Sequence, residues 1–259
     1  MVNETKDYIL SLLEKGIRKD GRKLDEYRKD IKIEYGISSK SAEGSARVMI
    51  GKTEVVAGVK LEVDKPYPDN PDEGTIIVNA ELIPLASPDF ESGPPAIESI
   101  ELSRVVDRGI RESQALDFKK LCIKEGEKVW IVFIDIYPMN DAGNLYDAAN
   151  LAALAALKDA KFPKYDEEKD KIVYEKTNKS LPLTKFPIAC TLVKINKYTL
   201  IDPSIEEEKA MDARLTVTIT EDNTICALQK GGDSIISIDD IDKMIDLTIE
   251  KAKDLRKLI

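Results

Sequence analysis

Apolar residues recur at two different periods along the chain, and the switches between them mark out its elements. Near the start, Ile9, Leu12, Leu13 and Ile17 fall at helical spacing, which predicts a helix over 3–15 with Asn3 as N-cap and Gly16 as stop. The charged stretch RKDGRKLDEYRKD (18–30) has no apolar period and reads as a loop. Runs rich in Val and Ile, separated by Gly, Ser, Asp and Pro, predict strands at 31–35, 46–50, 53–63 and 75–83. Two segments rich in turn formers, 66–74 and 87–95, are loops, and a helix follows from Ile97 to Leu116. KVWIVFIDIY (128–137) is almost continuously apolar, the mark of a strand covered on both faces. Residues 143–160 predict an Ala-rich helix whose small side chains demand close packing.

Residues 164–185 are polar and weakly patterned, apart from Ile172–Tyr174, and divide the chain. Strands resume at 188–195, 198–202, 213–220 and 224–229. A last helix begins at Ser237 with a capping-box-like Asp240, and Ile241, Ile245, Thr248, Ala252, Leu255 and Ile259 form its stripe. The order implies an α+β fold of two sheet-and-helix subdomains. The expected layout is a helix and arm (1–30), a first unit (31–163), a connecting segment (164–187) and a second unit (188–259).

Composition narrows the chemistry. The chain has 259 residues, 42% hydrophobic and 34% charged, which excludes a membrane-embedded or a disordered protein. It contains no histidine, so Ser-His-Asp triads, Cys-His pairs and histidine metal sites are excluded. A net charge of −9 makes it a poor general binder of nucleic acid, so RNA contact would need a local basic stripe. Cys122, Cys190 and Cys226 are far apart and odd in number, as reduced core residues are, and no metal site is expected. MVNETKDYILSLLEKG mixes acids and Lys, unlike a secretory leader, and no apolar run reaches membrane-spanning length. A cytoplasmic protein with no membrane contact is expected.

Three places hold candidate chemistry. Arg104, Arg108 and Arg111 lie within about 60° of one another at 100° per residue. Leu102, Val106, Gly109 and Ser113 take the opposite, packed face, where Gly109 implies close approach of another backbone. Spacing alone permits an anion-binding stripe but favours a solvated face with Arg108–Glu112 and Glu101–Arg104 ion pairs. In DPSIEEEKAMDARL (202–215), the adjacent Glu206, Glu207 and Glu208 point in different directions. A solvated acidic turn or short helix starting near Pro203 is the plainer reading than a metal site. DAGN (141–144) has one glycine before a helix, which favours a simple connecting loop over a phosphate cradle.

Resemblance adds the rest. RKDGR (18–22), EGSARVMIGKTEVVAGVK (43–60), ELSRVVDRGIRES (101–113) and DAGNLYDAANLAALAAL (141–157) resemble the RNase PH family of phosphorolytic exoribonucleases, in family order. EVDKPYPDNPDEG (62–74), SGPPAIESIELSRVVDRGIR (92–111), IDPSIEEEKAMDARL (201–215) and LQKGG (228–232) are most similar to the non-catalytic RNase PH-like subunit type of the archaeal exosome core.

Departures from the active pattern matter as much as the matches. Active members read like D-G-G-T-R-T before the Ala-rich helix, where Gly-Thr-Arg helps bind phosphate; here Asn144, Leu145 and Tyr146 end that stretch. Active members carry two Asp residues six apart in the acidic segment; Glu208 and Arg214 stand in those places. A carboxylate that assists the leaving 3′ oxygen cannot be replaced by a cation. The resemblance therefore implies no catalytic residue and no cofactor in this chain, and it places Arg104, Arg108 and Arg111 on the path of single-stranded RNA. It also implies a ring that is a trimer of heterodimers with a catalytic RNase PH-like subunit, topped by RNA-binding cap subunits. The competing expectation is an active phosphate-dependent 3′-to-5′ exoribonuclease.

Overall fold

Alternation of buried and half-buried residues organises the first sheet. The computed structural model describes residues 2–259, the side chains of residues 2, 3 and 176 excepted. Helix α1 (Val2–Leu13) buries Ile9 and Leu13, and the chain leaves it through Gly16 at a φ of 72°. Asn3 lies inside this helix and its side chain is outside the described residues, while Ile17, past the turn, is exposed. Residues 18–30 carry no regular element. Strands β1 (Ile31–Tyr35), β2 (Gly44–Ile50) and β3 (Thr53–Asp64) form an antiparallel meander. Then come β4 (Thr75–Ala80), α2 (Ile97–Glu112), β5 (Cys122–Lys124) and β6 (Lys128–Asn140). The sheet order is β1-β2-β3-β6-β4, with β5 also on β6 and β4 parallel to β6.

Two sequence expectations shift here. In β6, Val132, Ile134 and Ile136 are buried while Ile131, Phe133 and Asp135 between them are half-buried. The strand expected to be covered on both faces is fully covered on one. Helix α2 stops at Glu112 rather than Leu116, because Gln114 takes a φ of 54° and Leu116 pairs with Leu183 in an isolated bridge.

Helix α3 (Leu145–Asp159) is followed by a hairpin, β7 (Lys161–Asp166) and β8 (Lys171–Ser180), in the stretch that reads as an unpatterned connector. Its support is non-local: Trp130 of β6 packs against Phe162 at 5.4 Å and Tyr165 at 6.0 Å. The second sheet contains β9 (Ile188–Ile195), β10 (Tyr198–Ile201), then, after α4 (Ile205–Ala210), β11 (Ala213–Ile219) and β12 (Ile225–Gly231). Its order is β10-β9-β11-β12, antiparallel throughout, and α5 (Ile238–Arg256) packs on β9 and β11. Ser237 caps α5 by accepting from the Asp240 backbone N–H, and Met244, Thr248, Ala252 and Leu255 form its buried side.

Helix α3 joins the two halves. It is buried from Tyr146 to Leu157 and touches both β2 and β3 of the first sheet and β9 of the second. Only small side chains permit this: a Cβ on Gly44 would stand 2.4 Å from the Ala156 carbonyl oxygen. All three cysteines are free thiols; Cys190 is buried, whereas Cys122 and Cys226 are half-buried rather than core.

Candidate nucleic-acid interface

The acidic segment does form a short helix just after Pro203, as its composition allows, but it is not solvated. Asp202 is fully buried at a φ of 50°, and its carboxylate accepts from Arg22 Nη1 (2.8 Å), Arg28 Nε (2.9 Å), Arg28 Nη2 (2.7 Å), the Arg28 backbone N–H (2.8 Å) and Asn144 Nδ2 (2.8 Å). Burial alone would raise its pKa, but Arg28 and Asn144 outweigh that and hold Asp202 below the usual carboxylate range. Arg18 forks onto Glu207 at 2.8 and 2.5 Å, and both groups are about 2% exposed. Glu207 also closes a capping box with Ser204, while its neighbours Glu206 and Glu208 go to Lys19 and to the Asn144 backbone.

Arg28 reaches further, to Thr53 Oγ1 (3.0 Å) and the carbonyls of Ala142 (3.1 Å) and Gly143 (3.0 Å). The 141–144 loop is thereby pressed onto the start of α4. Gly143 sits at a φ of 93°, and a Cβ there would stand 2.5 Å from the Pro203 carbonyl, so only glycine fits. The N-terminus of α3 does meet an acidic group, but it is the chain's own: the Asn144 backbone N–H donates to Glu208 Oε1 at 2.8 Å. Burial pushes the Glu208 pKa up to about 7, against the opposing pull of that bond and of Arg214 and Arg28; nearby Asp141 adds to the rise.

The three arginines of α2 share a face but not their partners. The helix buries Ser99, Leu102, Val105, Val106, Gly109 and Ile110. Gly109 gives room to the Thr218 side chain, 3.1 Å from where a Cβ would be, rather than to another backbone. Neither expected ion pair forms. Arg111 pairs with Asp107 (2.7 and 3.1 Å) and donates to the Ile76 carbonyl (2.8 Å), fastening α2 to the edge strand β4. Arg108 donates to the Leu228 carbonyl and to Gln229 Oε1, both at 3.2 Å. Arg104 is exposed and has no ion pair or hydrogen bond among the described residues. With Arg111, Asp107, Ser103, Thr75 and Tyr67 it lines an open cleft of about 490 Å³.

The altered positions close up around the start of α3. Arg214 is buried, its guanidinium 4.1 Å from the Tyr146 ring centroid, and its Nη2 donates to Glu101 Oε1 at 2.6 Å. The Tyr146 hydroxyl donates to Glu101 Oε2 at 2.9 Å, while Leu145 packs at the edge of the core. Burial works against ionisation of Glu101, but Arg214, Gln229 and Tyr146 prevail and hold its pKa low. An arginine clamped in this way has no acceptor and does not release its proton, so it can neither take nor relay one. Sequence reasoning assigned Glu101 the wrong partner, Arg104 in place of Arg214, and left Gln229, Arg28 and Asp202 without a role. LQKGG was the available signal for Gln229, but nothing in the motif itself names Glu101 or Arg108 as its partners.

Among the described residues, no group of three or more Cys, Asp or Glu side chains is arranged to hold a metal ion, and no helix is long and apolar enough to cross a membrane. Residues 27–163 match the 3′ exoribonuclease family, domain 1, and residues 185–251 match its domain 2. The chain is 46% identical to the exosome complex component Rrp42 of Methanopyrus kandleri, over 97% of this chain and 94% of that one. It is 49% identical to the exosome complex component Rrp42 of Archaeoglobus fulgidus, over 99% and 96%. Among solved structures, a chain of the Archaeoglobus fulgidus exosome with RNA bound to the active site superposes with a TM-score of 0.91, at 47% identity over 99% of this chain and 98% of that one.

Proposed function

The chain belongs to the RNase PH family of 3′ exoribonucleases, and from that premise we propose that it is a non-catalytic, RNA-contacting subunit of an exosome ring of the archaeal type. The observation that carries the reading is Arg214, a cation salt-bridged to Glu101 and stacked on Tyr146 where an active member needs a carboxylate. Glu208 supports it, since this carboxylate fills the helix N-terminus near which a phosphate would bind.

Phosphorolysis then falls to a catalytic RNase PH-like partner, in a ring that is a trimer of heterodimers beneath RNA-binding caps. Inorganic phosphate attacks the terminal phosphodiester there and releases a nucleoside diphosphate. This chain shapes the partner's site and, through Arg104 and Arg108, holds the backbone of single-stranded RNA on its way in. Such contacts carry no base information. The assembly works in the cytoplasm.

The test compares this chain alone, the catalytic partner alone and the reconstituted complex on single-stranded RNA, with and without phosphate. The complex should release nucleoside diphosphates only with phosphate, and this chain alone should release none. Steady release by this chain alone would instead identify an active phosphorolytic exoribonuclease.

A further inference from the structure

Arg108 is the one arginine of the α2 face held from another subdomain, and the residues that hold it lead back to the altered catalytic positions. Gln229, on β12, donates from Nε2 to Glu101 Oε1 at 2.9 Å and accepts from Arg108 at Oε1. Its amide has one workable orientation: a carboxylate only accepts, and a guanidinium only donates. Glu101 and Arg108 are seven residues apart, two turns along α2, and Gln229 spans the gap between them. Glu101 in turn is fixed by Arg214 and Tyr146. Arg214 lies over its cross-strand neighbour Gly231, where a Cβ would stand 2.7 Å from Nη2, so the motif LQKGG has a physical reading. Leu228 supplies a carbonyl and Gln229 an amide to Arg108, and Gly231 leaves room for the guanidinium behind them.

Resting on the RNA-contacting reading above, we propose that Gln229 and Glu101 are positioning residues for Arg108, and that the Arg214–Tyr146 cluster occupying the lost catalytic place is the abutment that keeps them rigid. A guanidinium has five N–H donors. The two hydrogen bonds to β12 fix its plane and leave three for a phosphate. Positions that carry chemistry in an active member thus set the geometry of RNA retention in this one.

The test uses the assembled complex and single-stranded RNA, with affinity measured across salt concentrations for wild type, Arg104→Ala, Arg108→Ala, Gln229→Met and the Gln229→Met/Arg108→Ala double variant. Gln229→Met keeps length and removes no charge. It should weaken RNA binding by roughly two- to twelvefold, the ordering cost of one long side chain, with an unchanged salt slope. Arg108→Ala should lower the slope by about 0.7, and Gln229→Met should add nothing on top of it. Glu101→Gln, from the far side of the network, should repeat the pattern and serves if position 229 tolerates no change. Wild-type affinity in Gln229→Met, or a loss fully additive with Arg108→Ala, would overturn the positioning role while leaving RNA contact intact. If Arg104→Ala and Arg108→Ala both bind RNA as wild type does, RNA contact itself fails and takes the positioning role with it.

Discussion

The arm at 18–30 and the exposed face of α2 are both rich in arginine, and they put it to opposite uses. Arg18, Arg22 and Arg28 are drawn inward, each onto a carboxylate of the segment 202–208 and onto backbone carbonyls around it. Arg104 and Arg108 face outward with no carboxylate partner among the described residues. An acidic chain can therefore leave two arginines unpaired by carboxylates on one helix face while those of its arm are neutralised internally. On the proposed assignment of Arg104 and Arg108 to RNA, density of positive charge is a poor guide to a nucleic-acid surface. The stretch densest in Lys and Arg, 18–30, turns its three arginines inward, and the two arginines assigned to RNA stand among four acids of α2.

The contrast can be broken most severely at its buried end. Asp202→Asn leaves Arg22 and Arg28 facing a neutral amide, and breaking such a buried pair should cost about 3–5 kcal/mol, read by chemical denaturation. The pH dependence sharpens it next, because two carboxyls of one segment move in opposite directions. Asp202, with its pKa depressed by folding, stabilises above about pH 4, and that contribution is lost as pH falls through its folded pKa. Glu208, raised to about 7, works the other way. Its folded carboxyl holds the proton more tightly, so stability should fall by about 3 kcal/mol between the unfolded value near 4.5 and 7. Asp147, raised to about 6 by burial, adds to the same fall. Glu208→Gln, which keeps the acceptor for Asn144, should flatten the curve measured by denaturation from pH 4.5 to 7.

On the outward face the effects are smaller and fall on binding. Arg104→Ala should leave the folding free energy within about 0.5 kcal/mol and lower the salt slope of RNA binding by the complex by about 0.7. Asp107→Asn loosens Arg111 from its half-exposed pair and should cost roughly 0.3–0.5 kcal/mol. A large RNA defect from Asp107→Asn would mean that Arg111 belongs with Arg104 rather than with the structural arginines.

Much of the fold is legible where a residue's fate depends on its neighbours in sequence. The Val- and Ile-rich runs give β1 and β9 to the residue, and Ser237 marks the start of α5. What depends on distant partners is not legible. The β7–β8 hairpin is held through Trp130, more than thirty residues before Phe162 and Tyr165, so its own sequence is mute. Arg28 looks like any loop cation until Asp202, 174 residues later, is brought against it. The altered site divides in the same way. Tyr146 and Arg214 can be located by register with the family pattern, but that they stack on each other and share Glu101 is a fact of the folded chain.

The distance between Arg28 and Asp202 has a consequence for how the protein is made. A ribosome adds about 5–20 residues per second, so Asp202 is synthesised some 9–35 s after Arg28. For that interval the arm can reach Thr53 and the carbonyls of 142–143 but lacks the carboxylates of Asp202 and Glu207 that pair its arginines. The first sheet can collapse while the arm waits, and its three arginines stay hydrated until the acidic segment leaves the exit tunnel. Locking the arm is then a late event in biogenesis, and a nascent chain stalled before residue 202 should keep it open to protease even with its first sheet formed.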